Sequence, residues 1–78
     1  MRKNNPPDES PLTIGPLSRR TGVHIETIRY YEKIRLLPKP ARSAGGHRLY
    51  PQQTRRRLHF IRQARELGFT REQVRGLL

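Results

Sequence analysis

The side chains in this sequence best suited to chemistry are forked and hydroxyl-bearing donors, and they fall into two groups. Thr27, Arg29, Tyr30 and Tyr31 sit close together, and Arg42, His47 and Arg48 follow after a short gap. A guanidinium presents its N–H groups in a rigid fork that matches a phosphate or the acceptor edge of guanine. Threonine and tyrosine hydroxyls donate to phosphate oxygens, and a neutral imidazole adds one donor. Such a set holds a polyanion; it does not make or break bonds. Nothing in the sequence pairs a nucleophile with a base, cradles a phosphate in a glycine loop or sets two carboxylates in a pocket, so an enzyme is not expected. His24, His47 and His59 fit no familiar ligand spacing and cysteine is absent, so neither a metal site nor a cofactor is expected.

Charge points the same way. Lys and Arg total 17 against 6 Asp and Glu, a formal net charge of +11. Within residues 1–11, Arg2 and Lys3 offset Asp8 and Glu9, so the whole excess lies from Leu12 onward. A unit this basic attracts a polyanion because each phosphate it neutralises releases counterions. Lys3, Lys33 and Lys39 are the only lysines, and arginine supplies the rest. With 78 residues and 32% hydrophobic content the chain has material for one small domain with a modest core, and a partner subunit is the expected extra support. It shows no membrane-length apolar run and no signal segment, so the expectation is a soluble cytoplasmic protein without a membrane partner.

The elements that position these groups can be read locally. Residues 1–11 (MRKNNPPDESP) are polar and proline-rich and read as a flexible tail ahead of one domain over 12–78. Thr13 is placed to cap a helix from about Ile14 to Thr21, Gly22 supplies a turn, and a second helix is expected from about Ile25 to Ile34. Two short helices joined by a glycine turn form a helix-turn-helix pattern. If Ile28 faces the core, the helical period puts Glu26, Arg29, Tyr30 and Lys33 on the outer face. Between Ala41 and Tyr50, paired glycines flanked by extended runs predict a hairpin. Pro51 suits the first helical position of a third helix, along which Leu58, Ile61, Ala64 and Leu67 recur at helical spacing up to Gly68. Arg55, Arg56 and Arg57 in its first turns are equally suited to a solvated face and to phosphate contact. Thr70 and Gln73 form a capping box for a fourth helix. The resulting class is mainly α, a winged helix-turn-helix in the order helix, helix, β wing, helix, helix.

Thr21 to Glu32 (TGVHIETIRYYE), Leu36-Leu37-Pro38, Gly45 to Tyr50 (GGHRLY) and Arg62 to Phe69 (RQARELGF) together resemble the MerR family of transcriptional regulators from about Thr13 to Leu78. The resemblance implies a bacterial-type regulator that places the second helix in the major groove of double-stranded promoter DNA. Independently of the resemblance, Arg29 on the outer face is the best candidate for a base-edge or phosphate contact, and Thr27 is small enough to approach a thymine methyl or a phosphate. The resemblance assigns the phosphate role to the second tyrosine, Tyr31, whereas helical phase turns Tyr30 outward; the expectation here follows the family. Arg42, His47 and Arg48 would grip the flanking backbone. A homodimer through a region beyond Leu78, an effector domain beyond that, and an RNA polymerase helped by bending and untwisting of the promoter are further implications.

Four positions depart from the family pattern. His47 replaces a tyrosine in the wing, which weakens or re-aims that contact. Arg35 replaces a glycine after the second helix, so the turn is either strained or differently shaped. His24 replaces a serine-type cap, at a cost of about 1 kcal/mol. Pro51 replaces a polar cap. Two other functions fit part of the pattern: a stand-alone, excisionase-like architectural DNA binder, and a basic RNA-binding protein. Sparse aromatics disfavour the second, because single-stranded RNA readers stack bases on them.

Overall fold

The computed structural model describes residues 10–78, so most of the expected tail lies outside the described residues. The first helix, α1, spans Ile14–Thr21. Thr13 is its N-cap in backbone terms, with φ −78 and ψ 174, but its hydroxyl makes no capping bond, contrary to expectation. A capping oxygen seeks the N–H of the second or third helical residue, and the third is Pro16, which has none. At the other end Gly22 takes the left-handed conformation (φ 73) and donates its N–H to the Ser18 carbonyl at 2.8 Å. Two hydroxyls then shape the turn. Thr21 Oγ1 donates to the Leu17 carbonyl at 2.8 Å and accepts from the Val23 N–H at 3.3 Å, while Ser18 Oγ donates to the Val23 carbonyl at 2.6 Å. These bonds fix where the next helix begins.

That helix, α2, spans Ile25–Lys33, one residue shorter than expected. His24 caps it in backbone position without a side-chain bond. Beyond Ile34, Arg35 adopts φ 64, the only non-glycine residue with positive φ among those described. Its N–H donates to the Glu32 carbonyl at 3.1 Å, and those of Leu36 and Leu37 reach the Tyr31 carbonyl at 2.8 and 3.2 Å. The chain thus makes the glycine-type turn with an arginine, and a left-handed L-residue costs about 1–2 kcal/mol. Arg35→Gly should therefore raise unfolding stability by about 1 kcal/mol in urea titration, after the greater entropy loss of glycine is subtracted. Unchanged or lowered stability would show that the left-handed turn is unstrained.

The hairpin consists of β1 (Ala41–Arg42) and β2 (Arg48–Leu49), antiparallel, with Ala41 opposite Leu49 and Arg42 opposite Arg48. Gly46, at φ 86, supplies the left-handed residue of its turn. Tyr50 extends the pairing back to Leu12: each donates its N–H to the other's carbonyl, at 2.8 and 2.9 Å. The hairpin is thereby tied to the start of the domain.

The third helix, α3, spans Gln52–Glu66. Pro51, suited by its type to the first helical position, is instead the N-cap, because ψ 168 keeps it extended as the chain leaves the pairing with Leu12. Leu58, Ile61 and Ala64 are buried as the spacing predicts, together with Thr54, but Leu67 is 79% exposed. The helix has ended by then, and Gly68 at φ 97 turns the chain away from the core face. The fourth helix, α4 (Arg71–Leu77), starts with the expected capping box: Thr70 Oγ1 accepts from the Gln73 N–H at 3.1 Å, and Gln73 Oε1 accepts from the Thr70 N–H at 2.8 Å. Leu17, Ile28, Leu36, Tyr50, Leu58, Ile61 and Val74 are fully buried, so every helix and the end of the hairpin contribute to one core.

Arginines finish the packing. Arg57 Nε donates to the Leu36 carbonyl at 2.8 Å, and Arg62 donates to the Thr21 carbonyl at the end of α1 at 2.6 Å. Arg75 of α4 donates to the Ile34 and Arg35 carbonyls at 2.6 and 3.3 Å. Carbonyls at helix ends lack intrahelical partners, and cations there are favoured. Arg57, the last of the 55–57 run, is thus a structural arginine.

Candidate nucleic-acid interface

The outer face of α2 follows the helical period: Glu26, Arg29, Tyr30 and Lys33 are exposed, while Ile28 is fully buried. Arg29 holds the central position. It borders one cleft with Lys33, Arg42 and Arg48, and a neighbouring hollow with Arg42, His47 and Arg48. The exposed face of α2 and the wing therefore share a largely basic surface, and Arg29, Arg42 and Arg48 line both hollows. Lys39 and Arg35 extend the cleft. Within the wing, Arg42 donates to the Gly46 carbonyl at 2.8 Å, which orders its guanidinium across the turn, and the His47 N–H donates to Ser43 Oγ at 3.2 Å.

The remaining expected residues lie to either side. Thr27 and Tyr31 border a shallow hollow with His24 and Arg65, on the flank of α2 facing α3. The Tyr31 ring is buried, with 8% of the residue exposed, and Tyr30 is the outward member of the pair at 42%. The outward turn of Tyr30 is the one that helical phase gives. Tyr31 nonetheless borders this hollow despite its burial. Tyr30 faces α4, where the Arg71 guanidinium lies over its ring at 5.2 Å from the centroid. The planes of the two tyrosine rings are inclined at 47° to each other.

Glu32 and Tyr50 escaped sequence reasoning. Tyr50 is fully buried at the end of the hairpin, and its hydroxyl donates to Glu32 Oε2 at the end of α2. The other carboxylate oxygen of Glu32 lies 3.7 Å from an Nη of Arg48. Burial, and then the bond to and charge of Glu32, push the Tyr50 hydroxyl up to about 12, with Arg48 acting in the opposite sense. The phenol therefore remains a proton donor throughout the neutral range. A helix residue and two strand residues so far apart in sequence give no local signal; only the fold brings them together.

A family profile described as MerR HTH family regulatory protein matches residues 12–78. The chain belongs to the MerR family. Among MerR relatives, the mercuric resistance operon regulatory protein of Bacillus cereus is 52% identical over 65 residues, covering 83% of this chain and 49% of that protein. The crystal structure of PbrR691 from Ralstonia metallidurans CH34, a transcription regulator in complex with lead(II), superposes with a TM-score of 0.76 at 41% identity over 85% of this chain and 52% of that one. HiNmlR, a MerR family regulator lacking its sensor domain and bound to promoter DNA, shares the fold with a TM-score of 0.79 at 21% identity, over 86% of this chain and 51% of its own. The chain spans about half the length of the curated relatives it matches. Membership favours a MerR-type winged helix-turn-helix over the architectural and RNA-binding alternatives.

Proposed function

We propose that the chain is the DNA-reading part of a MerR-type transcriptional regulator, which binds double-stranded promoter DNA with α2 in the major groove and the wing on the flanking backbone. The observation that carries this reading is the placement of Arg29 on the exposed face of α2, sharing its clefts with Arg42 and Arg48 of the wing. Arg29 and Thr27 address base edges. Tyr31 and Tyr30 hold phosphates beside the helix, and Arg42, His47 and Arg48 hold them beyond the groove. A homodimer through a region beyond Leu78 and an effect on RNA polymerase at the promoter complete the role, in the cytoplasm and with no enzymatic step. Among the described residues no helix is long and apolar enough to cross a membrane.

The dependence of affinity on salt tests the wing. Each phosphate contact contributes close to one unit of slope in log K against log salt concentration. Arg42→Ala or Arg48→Ala should each lower the slope by about one on a duplex of fixed sequence. A slope equal to that of the wild type would take the wing off the backbone.

A further inference from the structure

Among the described residues, the basic cleft between α2 and the wing is lined by one acid. Glu32 sits three residues after Arg29, on the same side of α2, and lines the cleft with Arg29, Lys33, Arg42 and Arg48. A carboxylate on a surface meant for phosphates opposes binding by simple charge, so its presence needs a local reason. The geometry supplies one. Glu32 is largely shielded, with 12% of its side chain exposed, and the buried Tyr50 hydroxyl holds one of its oxygens in place. The other oxygen lies 3.7 Å from a terminal nitrogen of Arg48, whose side chain is 43% exposed and also acts on the Tyr50 hydroxyl. A guanidinium has five N–H donors, more than these two neighbours use, and Arg48 lines the cleft.

We propose that Glu32 is a positioning residue for the wing contact: anchored by Tyr50, its carboxylate orders Arg48 so that the remaining donors meet a phosphate only where the DNA is in register with Arg29. This deepens the proposed function and rests on it. The gain is one of specificity. At a cognate site the ordered fork meets a phosphate without first losing rotamer freedom. On an arbitrary duplex the same carboxylate only repels the backbone.

Glu32→Gln separates the possibilities, because the amide oxygen still accepts from Tyr50 while the charge that orders Arg48 is gone. Two probes of equal length are titrated with the full chain at fixed salt: a duplex selected by the wild-type chain from a random-sequence pool, and a mixed-sequence duplex. On the selected duplex Glu32→Gln should bind about two- to five-fold more weakly, the range of exposed ion pairs. On the mixed-sequence duplex its affinity should be equal or higher. In an Arg48→Ala background the same substitution should leave the selected-duplex affinity unchanged. Tyr50→Phe, which keeps the buried ring and frees the carboxylate, should lower the specificity ratio in the same direction, and it serves as a second route should the glutamine variant fold poorly. A rise on both duplexes would reduce Glu32 to its net charge and overturn the proposal. Equal weakening on both, or weakening that persists without Arg48, would make it a structural residue only. Wild-type chain that selects no duplex would overturn the DNA-reading function itself.

Discussion

Arg29→Ala should weaken binding to the cognate duplex by about 1–3 kcal/mol while leaving binding to arbitrary DNA much less changed, the signature of a side chain that reads a base edge. The expectation follows from position. Arg29 is exposed on α2 and lines both clefts that join helix to wing, the surface proposed to meet DNA. For the same reason the substitution should leave unfolding stability within about 0.5 kcal/mol of wild type, as exposed substitutions usually do. Paired titrations of cognate and mixed-sequence duplexes measure the effect. Equal weakening on both would demote Arg29 to a backbone contact.

The neighbouring residue should behave in the opposite way. Ile28 is fully buried where α2 meets the core, and Ile28→Ala removes atoms that the surroundings cannot fully replace. Large-to-small core substitutions of this kind cost about 2–5 kcal/mol. A single small domain within a chain of 78 residues lies near the lower end of the usual range of about 5–15 kcal/mol of stability, so the variant should lose a large share of its cooperative unfolding transition. Urea unfolding followed by far-ultraviolet circular dichroism checks this. A decrease under about 1 kcal/mol, well below the usual cost of such a cavity, would mean that α2 is not seated on the core as described. Two adjacent residues on one helix thus separate recognition from folding.

What the sequence revealed and what it concealed divide along a physical line. Signals confined to a few neighbouring residues were legible: the helical phase of α2 around Ile28, the glycine turns at Gly22 and Gly46, and the Thr70–Gln73 capping box all appear where local rules place them. Ends set by competing local rules were less so. Pro51 suited the first helical position by its φ alone, and its pairing neighbour Tyr50 pulled it into an extended ψ. Leu67 kept the apolar spacing of α3 past the point where Gly68 redirects the chain. At Arg35 the departure from a glycine was visible, and the structure decides between the alternatives: the arginine takes the left-handed turn, with Arg75 of α4 holding its carbonyl. Among the residues expected to contact DNA, Arg29, Arg42, His47 and Arg48 line one hollow, whereas Tyr30 and Tyr31 separate onto different sides. The Glu32–Tyr50–Arg48 group had no local signature because its members meet only after the hairpin folds back on α2.

The most direct test of the proposed DNA-reading surface is selection of duplexes from a random-sequence pool by the wild-type chain, with structured RNA as competitor and backbone protection then mapped on the enriched sequence. A bipartite grip from α2 and the wing predicts one enriched motif. Its major-groove protection should vanish with Arg29→Ala, and its flanking phosphate protection should vanish with Arg42→Ala or Arg48→Ala. Absence of any enriched sequence, or competition by RNA as effective as that by the enriched duplex, would contradict it.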